Sequence, residues 1–164
     1  NLDDAVTAQI ARLQAPQILL HNYGTDGTLR SAAASLGIHA VTVEIGNPQR
    51  FQEEMIRDAK RGVMNLLVHL DMVDGDVQPA DQEPIVCASS YWLHTRVGGV
   101  REVFPRVTDR VEEGQPVARI CDPFGETLME ITAPEAGVII GKSTNPVAPT
   151  GSRIVHLGVS SPSA

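Results

Sequence analysis

The chain is short of several residue types, and each shortage excludes a class of function. It has two cysteines, Cys87 and Cys121, far apart and in unrelated contexts. Two such residues neither build a disulfide framework nor give the paired spacing of a zinc site. A reducing, cytoplasmic compartment is therefore expected. Aromatics amount to one Trp, two Tyr and three Phe, too few for the stacking platforms that bind single-stranded nucleic acid. Positive charge is outweighed: 13 Lys and Arg face 20 Asp and Glu, for a net charge of −7. That balance argues against a nucleic-acid backbone and against an anionic membrane surface as partners. No apolar run approaches the roughly 18 residues that a membrane span requires, and no signal-peptide pattern is present. The sequence opens on Asn1-Leu2-Asp3-Asp4 without Met, which reads as a fragment or a processed chain.

What is present is ordinary for a soluble globular protein: 164 residues, 42% hydrophobic and 20% charged. This is one domain or two small ones, long enough to bury a core without disulfide or metal staples.

The pattern changes character near residue 75. Asp3 and Asp4 suit a helix start, Val6, Ile10 and Leu13 recur at helical spacing, and Pro16 ends the run. Ile18-Leu-Leu20 reads as a short buried strand. Thr25 or Asp26 can cap a second, Ala-rich helix to about Leu36, and Gly37 follows where a left-handed residue is wanted. His39-Ala-Val-Thr-Val-Glu-Ile45 is rich in β-branched residues and predicts a strand. After the Gly46-Asn47-Pro48 turn, Phe51, Met55, Ala59, Val63, Leu66 and Leu70 mark one face of a long helix. This α-β-α-β-α order predicts a mostly parallel sheet with flanking helices.

Asp74 to Pro84 is polar and reads as a linker. Beyond it, seven short β-type runs follow: Ile85–Ala88, Tyr91–Val97, Gly99–Phe104, Val117–Ile120, Leu128–Thr132, Gly137–Ile140 and Arg153–Val159. They contain a faint internal repeat. Gly99-Val100, Thr108–Val111, Gly114 and Pro116–Ile120 recur roughly 37 residues later as Gly137-Val138, Thr144–Val147, Gly151 and Arg153–His156. The expected division is an α/β part over residues 1–75, a linker over 76–90 and an all-β domain over 91–160.

Among residues that could carry chemistry, Glu44 stands out. It lies at the carboxyl end of the predicted strand 39–45, where active sites of open α/β sheets gather. A carboxylate there can serve as a general base; the structural alternative is an ion pair with an Arg such as Arg30. Arg50, at the start of the long helix, could bind a substrate carboxylate or simply be solvated. The five histidines, His21, His39, His69, His94 and His156, show no helical metal-ligand spacing. His21 ends a strand and could face the same crevice as Glu44. Cys87 and Cys121 read as small buried hydrophobes. Gly24-Thr-Asp-Gly27 could bind an anion, but a turn with a helix cap is the simpler reading, because the Lys of a phosphate loop is absent.

Arg110-Val-Glu-Glu-Gly-Gln-Pro-Val117 resembles the turn of biotinyl and lipoyl carrier domains, which fold as two similar halves. Such a carrier needs a Lys at the hairpin between the halves. The corresponding stretch, Glu126–Glu130, has none, and the chain's two lysines are Lys60 and Lys142. The fold is therefore expected to be shared, and a swinging-arm function is not.

Several stretches in order look like the succinylglutamate desuccinylase/aspartoacylase family: Gly27-Thr-Leu-Arg30, Gly37-Ile38, Val41-Thr-Val-Glu-Ile-Gly46, the helix end Arg61–Leu70, Gly98-Gly99, Asp109–Gln115, Ile120–Gly125 and Ala133–Gly137. The resemblance implies the C-terminal part of a carboxypeptidase-like α/β domain, followed by a small barrel-sandwich domain of the biotinyl/lipoyl type. It implies a zinc-dependent hydrolase of N-acyl amino acids, in which zinc lowers the pKa of a bound water. The family's catalytic Glu maps to Glu44; Arg30 and Arg50 become candidates for the substrate's carboxylate. The family's zinc ligands, a His-x-x-Glu and a later His, have no counterpart here. The resemblance thus implies that the N-terminal part of the catalytic domain is missing, that no metal ligand lies in this chain, and that the chain alone is inactive. An exposed half-domain would seek that missing part or form a homo-oligomer. The rival expectation is a non-catalytic binding or assembly module in which the β domain is the functional part.

Overall fold

The computed structural model describes residues 1–22 and 27–160. The chain forms two compact units, divided between Ile85 and Val86.

Among the described residues, unit 1 holds three helices and strand β1. Helix α1 (Ala5–Leu13) starts at Asp4, whose side chain accepts the Thr7 N–H at 2.7 Å; this satisfies a donor that has no partner within the helix. Strand β1 (Ile18–Leu20) lies where the apolar run placed it, with Leu19 buried. Helix α2 (Leu29–Ser35) is capped by Thr28, whose hydroxyl accepts the Ser31 N–H at 3.1 Å. The cap expected at Thr25 or Asp26 lies outside the described residues, as does most of the Gly24–Gly27 loop. At its other end, Gly37 takes a φ of 71° and donates to Ala34, and Ile38 donates to Ala33. These two bonds satisfy carbonyls that the helix leaves open. Helix α3 (Glu53–His69) forms as the apolar spacing predicts, and it packs on α1.

Among the described residues, unit 1 does not form the mostly parallel sheet expected of it. Residues 39–45 make no strand, and residues 42–50 are exposed. β1 pairs in a two-stranded sheet with β2 (Ile85–Cys87), whose Ile85 N–H donates to Gln17 at 2.9 Å. The β-branched residues of 39–45 have strand propensity, but a strand also needs a neighbour to take its backbone donors and acceptors. Among the described residues, none does.

Polar side chains hold this unit where the sheet does not. Asn65, 3% exposed, donates from Nδ2 to the carbonyls of Leu13 (3.0 Å) and Gln78 (2.9 Å). Its Oδ1 accepts the Gln78 N–H at 2.8 Å. This ties the segment after α3 to the end of α1. His39 Nδ1 lies 3.1 Å from Asp4 Oδ1 and 3.4 Å from Thr7 Oγ1.

Among the described residues, the two sheets of unit 2 contain six of the seven expected strands and two short ones that the sequence does not reveal; the seventh, β2, spans the division between the units. The long strands are β3 (Ser89–His94), β4 (Gly99–Val103), β6 (Pro116–Cys121), β7 (Thr127–Thr132), β8 (Gly137–Lys142) and β10 (Arg153–Val159), after β2. The short ones are β5 (Arg110–Val111) and β9 (Val147–Ala148). They form two four-stranded sheets, ordered β3-β10-β8-β5 and β7-β6-β4-β9, whose pairs are antiparallel. A shared core of Val111, Val117, Ile120, Ile139, Ile154 and Leu157 lies between them.

The repeat seen in the sequence is a two-fold relation in this unit. Exchanging β3 to β6 with β7 to β10 turns one sheet order into the other. The hydrogen bonds follow: Gly114 N–H donates to Ala133 and Gly151 N–H to Thr95, each at 2.8 Å. Gly99 and Gly137 are mates as well. A Cβ on Gly99 would press into the Cys121 carbonyl oxygen, and one on Gly137 would lie 2.6 Å from that of Gly158. The hairpin between the halves turns at Asp122–Glu126 rather than at Glu126–Glu130. There the Asp122 carboxylate accepts the N–H groups of Phe124 (2.8 Å) and Glu126 (2.9 Å), and Glu126–Glu130 runs mainly into β7. The turn holds no Lys.

Candidate functional site

Glu44 lies in the exposed segment that precedes α3. Among the described residues its carboxylate makes no hydrogen bond or ion pair, so the expected alternative, a pair with Arg30, does not form. Arg30, on the first turn of α2, donates instead to the Thr42 hydroxyl at 3.4 Å. This places a guanidinium beside the segment that carries Glu44. Arg50 is exposed and likewise forms no ion pair among the described residues. The turn between Glu44 and α3 is closed locally, with Asn47 N–H donating to Gln52 Oε1 at 2.6 Å.

Among the described residues, no contact links His21 to Glu44. His21 Nε2 sits 3.8 Å from Asp3 Oδ2, and the side chain is largely buried. His39 is committed to Asp4 and Thr7. Among the described residues, no three of His, Cys, Asp and Glu group so that they could hold a metal. A catalytic zinc takes three protein ligands, so these residues do not by themselves fit one. Shallow concavities occur on α2, around Thr28 and Ala32, and in unit 2, around Phe104 and Arg110. Glu44 lines neither.

Neither cysteine is placed as a nucleophile. Cys87 is fully buried, and burial pushes its thiol up despite the nearby Arg110 charge; a thiol held protonated is inert. Cys121 Sγ lies 3.9 Å from the Thr127 hydroxyl. Both cysteines are free.

Unit 2 carries a cluster that sequence reasoning did not single out. Trp92 stacks on His156 with centroids 4.6 Å apart, and the Arg153 guanidinium lies 5.4 Å from the Trp92 ring. His156 Nε2 meets Ser90 Oγ at 2.9 Å. Arg101 is 8% exposed on β4 and donates to the Arg153 carbonyl at 3.0 Å. These contacts join residues that are distant in sequence, so no local motif announces them. No helix among the described residues is long and apolar enough to cross a membrane.

Comparison with known proteins gives consistent findings. Residues 1–70 match the family described as the succinylglutamate desuccinylase/aspartoacylase catalytic domain. An N-alpha-acetyl-L-2,4-diaminobutyric acid deacetylase of Halomonas elongata is 25% identical over 130 residues, which cover 76% of this chain and 38% of that protein. A succinylglutamate desuccinylase from Silicibacter is 26% identical, with a TM-score of 0.81, over 97% of this chain and 51% of that one. The apo ectoine utilization protein EutE (DoeB) from Ruegeria pomeroyi shares the fold with a TM-score of 0.87 at 19% identity, over 98% of this chain and 52% of that one. The chain thus spans about half the length of these solved structures. The family match over residues 1–70, the curated deacetylase and the solved desuccinylase agree in what this chain is similar to: proteins of the succinylglutamate desuccinylase/aspartoacylase family.

Proposed function

We propose that this chain is the C-terminal part of a zinc-dependent hydrolase that cleaves the amide bond of N-acyl amino acids, with Glu44 as general base. The observation that carries this reading is the state of Glu44: an exposed carboxylate with no hydrogen bond or ion pair among the described residues, inside the stretch that matches a deacylase catalytic domain. Such a group is held by no contact among the described residues and is open to a ligand.

The chemistry follows from the reaction. Water adds to the acyl carbon, the C–N bond breaks, and one proton must pass from the water to the departing amine. Glu44 accepts that proton and returns it, a transfer typically worth about 10²–10⁴-fold in rate. Zinc would supply Lewis-acid activation of carbonyl and water. Its ligands would come from polypeptide outside this sequence, and this chain alone would then be inactive; no group of His, Cys, Asp and Glu among the described residues could hold a metal. Arg30 is the better candidate for the substrate's carboxylate, because it already reaches the Glu44 segment; Arg50 is the weaker one. Unit 2 is a barrel-sandwich of the biotinyl/lipoyl kind that serves as scaffold, since its hairpin Asp122–Glu126 has no Lys to modify. Two free cysteines fit a cytoplasmic location.

The rival reading is a binding or assembly module centred on unit 2, favoured by that unit's self-contained core. Zinc content and hydrolysis of N-acetyl amino acids by the complete gene product separate the two. About one zinc per chain with amide cleavage supports the deacylase; a metal-free, inactive product supports the module.

A further inference from the structure

Arg101 occupies a core position of unit 2. On β4 it alternates with the exposed Val100 and Glu102 and shares a face with Val103, which packs on the core. Its two-fold mate is Ile139, two residues beyond Gly137 as Arg101 is two beyond Gly99. The strand pairing agrees: Arg101 stands opposite Ile120, and Ile139 opposite Leu157. Ile120, Ile139 and Leu157 are all fully buried. The place of an apolar side chain in one half is thus taken by a guanidinium in the other. Burial works against that charge and pushes the Arg101 pKa down. Arg101 crosses from one sheet to the other, with Nη1 donating to the Arg153 carbonyl on β10 at 3.0 Å. A guanidinium has five N–H donors in a planar fork. Among the described residues this bond uses one, and Arg101 has no other hydrogen bond and no ion pair. The remaining N–H groups are not sealed from solvent, since none is a fully buried atom without a partner. The guanidinium of Arg153 itself lies over the Trp92 ring. A buried charge without a counter-charge is costly, and proteins break such local rules mainly where function requires it.

We propose that Arg101 is a carboxylate-binding site in unit 2, its planar fork taking the two oxygens as a bidentate pair while the Arg153 carbonyl holds Nη1 in place. One guanidinium balances the single charge of a carboxylate. A phosphate, at about −1.5 to −2, would keep an unbalanced charge in a chain already at −7. The carboxylate belongs either to a free ligand or to an Asp or Glu of further polypeptide, since the chain overlays 97% of its own length but 51% of the Silicibacter desuccinylase. The site lies within unit 2 alone and stands whether or not the deacylase reading does.

Titration with succinate at constant ionic strength, with chloride as the control, tests the proposal in this chain and in the complete gene product. The readouts are the melting temperature and the Arg101 Nε–Hε NMR signal, identified by its loss in Arg101→Lys. In this chain, succinate is expected to shift the signal saturably, with half-effect on the order of millimolar or below, and to raise the melting temperature by about 2 °C or more. Chloride should do neither. Arg101→Lys keeps the charge but not the fork, and its melting response should need about tenfold more succinate. Arg101→Ile gives the position its mate's apolar side chain. Without succinate it should melt no lower than the unaltered chain, and it should lose the response. A complete product that responds as this chain does shows a free carboxylate to be the ligand. A complete product that does not respond, and that Arg101→Ile destabilises while sparing this chain, shows the carboxylate to come from its own further polypeptide. A signal in this chain that succinate leaves unmoved, or that chloride moves equally, overturns the proposal whether or not Arg101→Ile folds. So does a loss of stability in Arg101→Ile of this chain without succinate, which would leave Arg101 as a strut between the sheets.

Discussion

Arg30 reaches across to Thr42, donating from Nη1 to its hydroxyl at 3.4 Å; Thr42 is two positions along the chain from Glu44, with which Arg30 forms no pair among the described residues. Both arginine and carboxylate keep their charges available to a ligand. Arg30→Ala in the complete protein is expected to raise KM for an N-acyl amino acid about tenfold or more, the scale of a charge-assisted hydrogen bond, with a smaller effect on kcat. Stability should change by less than about 0.5 kcal/mol, since the contact is exposed. Steady-state kinetics with a thermal melt checks both. A KM left unchanged removes Arg30 from the substrate site.

Asn65 is the clamp of unit 1. Its side chain makes three hydrogen bonds, to the carbonyls of Leu13 and Gln78 and from the Gln78 N–H. Asn65→Ala leaves these backbone groups without partners and is expected to cost about 2–3 kcal/mol. Denaturant titration reads the loss, and hydrogen exchange at Gln78 should rise with it. A loss below about 0.5 kcal/mol would show that water replaces the clamp.

The Tyr91 phenol donates to Glu135 Oε1 at 2.7 Å. Burial first, then this carboxylate as acceptor and as negative charge, pushes the Tyr91 pKa up from 10.0 to about 12. A raised folded pKa gives stability that is fully present below the unfolded value near 10 and is lost as pH rises through the folded one. Tyrosinate absorbance should therefore show a step near 12, and Glu135→Gln should move it down toward 10. A Tyr91 step near 10 in the unaltered protein would contradict the contact.

Gly99 and Gly137 test the two-fold relation of unit 2. Each lies against the carbonyl oxygen of the strand opposite, Cys121 for one and Gly158 for the other. Because the two sites are mates, Gly99→Ala and Gly137→Ala should destabilise by similar amounts, on the order of 1–3 kcal/mol each, as overpacking does. Their melting temperatures in otherwise identical proteins make the comparison. A harmless substitution at one site and a damaging one at the other would break the equivalence.

How much of this was legible in the sequence depends on the range of the interaction involved. Helices α1 and α3, strand β1 and the long strands of unit 2 follow from local spacing, and Gly37 marks the end of α2 as its position suggests. The repeat from Gly99 and Gly137 shows in the sequence because the two halves share turn residues. The strand at 39–45 is the instructive failure. Its residues are right for a strand, but pairing is a property of the neighbour, and none lies among the described residues. Two-residue pairings such as β5 and β9 carry no pattern of their own. Asn65 with Gln78 and Trp92 with His156 depend on contacts between distant positions. Glu44 drew attention in the sequence by its place at the end of the expected strand 39–45 and then by the family resemblance; no contact around it among the described residues marks it out.

The account turns on Glu44, and the measurement that reaches it most directly is the kcat/KM of Glu44→Gln against the unaltered complete gene product on N-acetyl amino acids. The substitution keeps the side chain's size and removes its ability to take a proton. Glu44 makes no hydrogen bond or ion pair among the described residues, so the melting temperature should not change. The account predicts a fall of about 10²–10⁴-fold in kcat/KM at unchanged zinc content and stability. Activity within a few-fold of the unaltered protein would contradict it and leave Glu44 as a surface carboxylate without a catalytic role.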